Sequence, residues 1–447
     1  NKMAVTSKRM RDTACALAAE GIVLLKNDGV LPIKSEDNVA VFGRTQINWF
    51  CVGYGSGGDV KVPYKNTFAV WLKNQKDINI NADVMAAYDE WCAKHVPDEG
   101  FWGHWPFRFE EMPLDINFVK KAREKSNVAF VVIGRAAGED REQKLAKGSY
   151  YLADDELKML DKVCSVFEKV VLILDTGNVI DFSQIDEYGD RISAIVLAWQ
   201  GGMESGRALC DVLSGNVNPS GRLTDTIAVN YDLYPPQQFG FKDYNVYQED
   251  VFVGYRYFET FAKEEVLYPF GFGLSYTTFA VTGGVEKTEN GARVTAKVKN
   301  TGERKGKTVV QIYVKKADGM LVKPARELVA YAKTIELESG AEEEFSFDIS
   351  EYALSCYDEE GATGYKACWV LEYGDYEFFV GENVREATSV GSVRFDKKIT
   401  SECHTVCSPQ KDLSVLLRYD SANSLCADLS QFSGKETFAE FKQKMDR

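Results

Sequence analysis

Nowhere in the 447 residues is there an uninterrupted apolar run of about 18, so no segment is expected to cross a membrane as a helix. The N-terminus (NKMAVTSKRMRDTACALAAEG) has basic residues but no continuous apolar stretch behind them, so it does not read as a secretory signal. Positive charge is also in deficit. Lys and Arg number 53 against 67 Asp and Glu, a net charge of −14, which argues against nucleic acid, whose phosphates need basic patches. Histidine is scarce, and none of His95, His104 and His404 has a Ser or Cys partner pattern that would suggest a nucleophilic triad. Internal repeats and low-complexity tracts are absent.

What is present is a globular composition, 45% hydrophobic and 27% charged, on a chain long enough for two or three cores. The ten cysteines are scattered, and several sit in apolar contexts, such as Cys15, Cys164 and Cys210. Buried reduced thiols in a cytoplasmic protein are the expected reading. Cys403-His404-Thr405-Val406-Cys407 begins like a zinc site, but no second ligand pair follows at a suitable spacing, so no metal and no cofactor are expected.

Residues 1–235 alternate buried strand patterns with helical ones. Asn38–Gly43, Asn127–Gly134, Val170–Thr176 and Ile192–Trp199 are short apolar runs with turn signals behind them. Ala153–Phe167 has helical spacing through Leu157, Leu160, Val163 and Phe167, with Asp154 and Asp155 as capping acids, and Ser205–Leu213 is a second helix. This grammar predicts an α/β domain, a mostly parallel sheet with helices on both faces. Residues 236–276 read as an aromatic-rich linker. Within Gly254–Phe279, twelve of 26 residues are Gly, Phe or Tyr, which suits a long ordered loop better than a helix or strand. From about 277 to 397 short alternating runs take over (Arg293–Asn300, Lys307–Val314, Glu343–Ile349, Asp375–Val380), the pattern of a β-sandwich. Residues 398–447 form a mixed extension ending in the amphipathic stretch Phe432–Met445.

Ligands of open α/β sheets gather at the carboxyl ends of strands, which singles out two loops. One follows Asn127–Gly134 and reads Arg135-Ala-Ala-Gly138-Glu139-Asp140-Arg141-Glu142. Its carboxylates are placed to act, although flanking arginines would depress a carboxyl pKa that a general acid needs raised. The other is Gly53-Tyr54-Gly55-Ser56-Gly57-Gly58-Asp59. It starts ten residues past Gly43 with no Gly-Lys-Ser/Thr after it, which argues against phosphate binding. Phe101–Phe109 concentrates five aromatic rings and His104. Trp102 or Trp105 there either lines a sugar subsite or anchors the loop against its own domain, the anchoring role being favoured. Trp199, at the end of an apolar strand, reads as core.

Ala18–Ile33 (AAEGIVLLKNDGVLPI), Gly215–Thr226 (GNVNPSGRLTDT) and Gly254–Phe279 together resemble glycoside hydrolase family 3, the β-glucosidase and β-xylosidase group. The resemblance covers about residues 12–395 and implies a fibronectin type III-like module after the α/β domain. Gly138-Glu139, Gly148 and Tyr151-Leu152 match the loop in which family members carry the general acid/base, which places that role on Glu139. Many members read Gly-Glu-Gly-x-Asp-Arg; here Asp140-Arg141 follows at once, and Asp140 is the second candidate. The resemblance also gives Ser56 and Gly57 a place at the mouth of the site.

The family nucleophile is an Asp in a Ser-Asp-Trp-like motif on a (β/α)₈ barrel. This sequence has no Asp-Trp pair, and no stretch of about 250 residues remains to build a barrel. The resemblance therefore implies the non-barrel portion of a domain-permuted member, with Phe432–Met445 leading toward a barrel in the same product or a second chain. The implied activity is retaining hydrolysis of terminal β-linked sugars, with β-linked oligosaccharides or aryl and alkyl β-glycosides as substrates. The alternative is a non-catalytic carbohydrate-binding or scaffolding protein of the same fold, which would bind oligosaccharide tightly as an isolated chain.

Overall fold

The structure, a computed structural model, describes residues 7–55, 62, 64–101, 104–139, 143–235 and 249–404. Six strands build the first sheet: β1 (Val23–Asn27), β2 (Asn38–Phe42), β3 (Asn79–Ile80), β4 (Val128–Arg135), β5 (Val170–Thr176) and β6 (Ala194–Leu197). Their order is β1-β6-β5-β4-β2-β3. The five strands β2 to β6 pair in parallel, while β1 runs antiparallel along β6, so the sheet is mixed. Every residue of β4 and β5 is buried, as expected for central strands covered on both faces.

The two faces carry separate cores. One packs Cys15 and Ala19 of the helix Lys8–Gly21, Phe68 and Leu72 of Phe68–Asn74, and Leu209 and Val212 of Ser205–Leu213 against Val39, Val41, Phe130 and Ile173. The other packs Val84 and Tyr88 of Ala82–Lys94, Val119 of Ile116–Lys125, and Leu160 and Val163 of Asp154–Cys164 against Phe42, Val131 and Leu172. The last of these helices is capped differently from expectation. The side chain of Glu156, not Asp154 or Asp155, accepts the Ala153 N–H at 2.7 Å.

The aromatic segment is not a loop throughout. Tyr255–Phe261 is helical, entered through Gly254 at φ 59, and β8 (Val266–Tyr268) pairs with β7 (Ile227–Ala228). The rings decide the geometry: Phe258 is fully buried and meets Tyr234 edge-on at 5.4 Å, while Tyr255 stacks on Phe270 at 4.5 Å. The three stretches that carry the family resemblance are one packed unit. Gly221 N–H donates to Ile22 O, Leu274 N–H to Leu24 O, and Leu223 N–H to Phe272 O, at 3.2, 2.8 and 2.8 Å.

That unit joins the α/β domain to a β-sandwich. One sandwich sheet holds β9 (Phe279–Thr288), β10 (Gly291–Asn300) and β13 (Glu342–Ser350), ordered β13-β10-β9. The other holds β11 (Val309–Lys315), β12 (Glu327–Lys333), β16 (Gly374–Gly381) and β17 (Thr388–Phe395), ordered β12-β11-β16-β17. Alternating inward residues, Val294, Ala296 and Val298 from one sheet and Ile312, Phe378 and Val380 from the other, fill the space between. The joint is polar as well as aromatic. Glu20 pairs with Lys307 and Lys333, Arg222 with Glu382, and the Tyr255 hydroxyl accepts Leu328 N–H at 2.8 Å.

A small third sheet, β14 (Cys356–Asp358), β15 (Cys368–Leu371) and β18 (Lys398–Glu402), flanks the sandwich. Cys403 N–H donates to Ala367 O at 2.9 Å; Cys407 and the stretch Phe432–Met445 lie outside the described residues. Among the described residues there is no closed barrel, and no helix is long and apolar enough to cross a membrane.

Candidate active site

The carboxyl ends of β2, β4, β5 and β6 converge on one edge of the sheet, and both loops singled out by the sequence are there. Past β4 the chain is fixed residue by residue. Ala136 N–H donates to Phe107 O at 2.7 Å, Ala137 O accepts Tyr54 N–H at 2.6 Å, and Glu139 N–H donates to Tyr54 O at 3.2 Å. Tyr54 and Gly138 thus form a parallel bridge that ties the glycine loop to the Glu139 loop. Glu139 itself is exposed on this chain.

Glycine is required where the two loops touch. Gly55 has φ +104, and a Cβ on it would sit 2.4 Å from Glu139 Cβ and 3.0 Å from its Oε2. Gly138, at φ +148, passes so close to the Tyr54 backbone that a Cβ would lie 2.2 Å from its carbonyl oxygen. No L-residue with a side chain fits either position without displacing the other loop.

The aromatic loop supports this contact from one side. Trp105 is 6% exposed and stacks on Tyr54, ring centroids 4.9 Å apart and 8° from parallel. Phe109 stacks likewise on Phe50, at 5.2 Å. Trp105 therefore packs inside the chain, while Ser56, Gly57, Trp102 and Asp140 lie outside the described residues.

Arg135, whose charge was expected to weigh on the neighbouring carboxylates, is engaged elsewhere. Its side chain is 2% exposed and forms a fork with Glu156, Nη1 to Oε1 at 2.5 Å and Nη2 to Oε2 at 2.6 Å. A bidentate pair of this kind neutralises the guanidinium locally.

Three further features of this edge go beyond the sequence reading. Asp175, at the end of β5, is fully buried; its Oδ2 accepts Phe50 N–H at 2.8 Å and its Oδ1 has no hydrogen-bond partner among the described residues. Burial pushes its carboxyl well above the usual range against the opposing Phe50 hydrogen bond. Its position at the carboxyl end of a buried strand was a usable signal. Trp199, expected in the core, packs against it but is only half-buried, just past β6 with φ 55, a left-handed conformation that costs a bulky residue about 1–3 kcal/mol and clusters at functional sites. Beside it, Gln200 Nε2 donates to Arg135 O at 3.1 Å, and Gly53 and Gly177 would each collide with its amide oxygen or with Ala137 if they carried a Cβ.

Glu111 is another buried acid. Glu111 accepts Arg44 N–H through both oxygens, at 2.5 and 2.9 Å. Burial, aided by neighbouring Glu156 and Asp155, pushes it up to about 8. The pair supports the turn after β2.

Residues 22–276 match the Glycosyl hydrolase family 3 C-terminal domain, and residues 308–384 match the Fibronectin type III-like domain. The chain is 40% identical over 410 residues to a beta-glucosidase of Ruminococcus albus, covering 91% of this chain and 43% of that protein. It is 36% identical over 427 residues to beta-glucosidase A of Butyrivibrio fibrisolvens, covering 85% of this chain and 50% of that protein. A solved beta-glucosidase from Paenibacillus barengoltzii superposes with a TM-score of 0.88 at 40% identity, over 91% of this chain and 46% of the other. Beta-glucosidase 3B of Thermotoga neapolitana, solved with glucose, gives 0.78 at 34% identity, over 87% and 55%. The chain thus spans about half the length of these relatives. It belongs to glycoside hydrolase family 3, of which it holds the C-terminal α/β domain and the fibronectin type III-like domain that follows.

Proposed function

We propose that this chain supplies the general acid/base, Glu139, of a retaining β-glucosidase whose nucleophilic Asp lies on a (β/α)₈ barrel, in the same domain-permuted gene product or on a second chain. The observation that carries this reading is the placement of Glu139. It stands exposed at the carboxyl edge of the sheet, on a backbone locked to Tyr54, across a glycine that leaves room for its carboxyl group. Both beta-glucosidase relatives extend well beyond the matched half, which leaves ample length for a barrel.

In such a site Glu139 donates its proton to the glycosidic oxygen as the C–O bond breaks and the barrel Asp attaches to the anomeric carbon. The resulting carboxylate then takes a proton from the water that releases the sugar. Engagement of Arg135 by Glu156 favours the first step, because an uncompensated guanidinium would favour the ionised carboxylate. Asp140 is the reserve carboxylate. On the family resemblance, Ser56, Gly57 and Trp102 would line the aglycone side with it, and Trp105 would act there through the Tyr54 ring on which it stacks. The scattered thiols, all free among the described residues, fit a reducing, cytoplasmic compartment.

The test is Glu139→Gln in the barrel-containing protein, assayed on a β-glucoside with a poor leaving group. Loss of turnover on the order of 10²–10⁴-fold is expected; near-normal turnover removes Glu139 from the role.

A further inference from the structure

Arg135 is the last residue of β4, four positions before Glu139, and it is keyed to its surroundings on every side. Besides the fork to Glu156, its guanidinium donates to Ser149 O at 2.9 Å, Gly134 O at 2.8 Å and Tyr151 O at 3.3 Å. Its own carbonyl accepts Gln200 Nε2 at 3.1 Å and Gly177 N–H at 3.4 Å. Glu156 in turn accepts Ala153 N–H, closing the first turn of its helix. The buried ion pair thereby ties the start of the Glu139 loop to residues 149–153, and the backbone carbonyl of Arg135 ties it to the loops after β5 and β6.

A buried pair of this kind is a poor source of net stability, since desolvation of both charges offsets most of their attraction. Its geometry is worth more than its energy. The fork fixes two planar groups in one relative orientation, and three backbone carbonyls hold the guanidinium in place. The chain between Arg135 and Glu139 has little room to re-form if that anchor shifts, because Ala136 is bonded to Phe107 and the residues on either side of Gly138, Ala137 and Glu139, are bonded to Tyr54.

We infer that Arg135 and Glu156 are a positioning pair for the acid/base carboxyl, setting where Glu139 stands relative to the leaving-group oxygen. This inference rests on the assignment of Glu139 above. Proton transfer to the leaving group is sensitive to placement, and a displacement of about 1 Å can cost on the order of 10²-fold.

The experiment compares kcat/KM for a poor alkyl leaving group with kcat/KM for an activated aryl leaving group, in the full barrel-containing protein. The ratio of the two does not depend on how much of the sample is folded. Departure of the activated aryl group needs little protonation, so mispositioning the acid lowers only the alkyl value. For Arg135→Lys and Glu156→Gln the ratio is expected to fall on the order of 10–10²-fold. Should either fail to fold, the double variant Arg135→Met/Glu156→Leu replaces the pair with apolar side chains, an exchange often neutral for stability, and the same fall is expected. A ratio within about twofold of wild type in a folded variant overturns the positioning role. Glu139→Gln in the same assay separates the two ideas. If it collapses the ratio and the pair variants do not, only the positioning inference fails; if it leaves the ratio unchanged, the assignment of Glu139 fails.

Discussion

Gly55 and Glu139 meet across the two loops at the carboxyl edge of the sheet, where a Cβ on the glycine would stand 2.4 Å from that of the glutamate. Sequence separation hides this contact, since Gly55 follows β2 and Glu139 follows β4. Parallel pairing of β2 with β4 brings the loops side by side.

Replacing this glycine tests whether the contact matters. Gly55→Ala combines a left-handed φ, costing roughly 1–2 kcal/mol for an L-residue, with a collision against Glu139. Turnover of a poor-leaving-group β-glucoside by the intact protein should fall on the order of 10²-fold, with only a modest fall in Tm. A variant with wild-type kinetics would show that the loops separate at no cost to catalysis.

Glu111 makes stability depend on pH in a defined direction. Its folded-state pKa, near 8, lies above its unfolded value of about 4.3. The folded protein therefore binds the extra proton between those limits. The contribution is fully present below about pH 4.3 and is lost as pH rises toward 8. Glu111→Gln, which cannot ionise, should flatten the decline in Tm between pH 5 and pH 8 measured by calorimetry. An unchanged decline would place the titration on another group.

Arg222 holds the α/β domain to the sandwich. It is paired with Glu382 at 2.5 Å and also bonded to Thr308 Oγ1 and Gly273 O, with the arginine side chain only 10% exposed. Arg222→Met should cost about 2 kcal/mol, the scale of charge-assisted hydrogen bonds lost from a mostly buried site. Urea denaturation reads the difference, and a change under about 0.5 kcal/mol would mean the joint rests on its aromatic contacts.

Much of the architecture was legible because buried parallel strands leave continuous apolar runs. Val170–Thr176 is β5 itself, and Asn38–Gly43 overruns β2 by a single residue. The edge strand β1 was harder, since its partner β6 lies far along the chain and its sequence falls inside a stretch recognised only for its family likeness. The segment 254–279 misled for a physical reason. Aromatic side chains have weak helix propensity, and the helix Tyr255–Phe261 exists because tertiary packing of Phe258 and Tyr255 overrides it.

At the sheet edge, the position of Glu139 was reachable from its loop after a buried strand, but its surroundings were not. The pairing of Arg135 with Glu156 leaves no periodic trace, and the acids nearest the helix start, Asp154 and Asp155, drew attention away from the third. For Trp105 the favoured of the two sequence readings, a ring that anchors its loop, matches its stacking on Tyr54.

The most direct measurement uses Glu139→Ala in the barrel-containing protein, turning over an activated aryl β-glucoside with and without azide. Without its base the variant should stall at the glycosyl-enzyme, slowed on the order of 10²–10⁴-fold. Azide needs no deprotonation; it bonds to the anomeric carbon as the barrel carboxylate leaves, so turnover should recover and β-glucosyl azide should accumulate. Wild-type turnover by the variant, or a slow variant that azide does not rescue, would contradict Glu139 as the acid/base of this site.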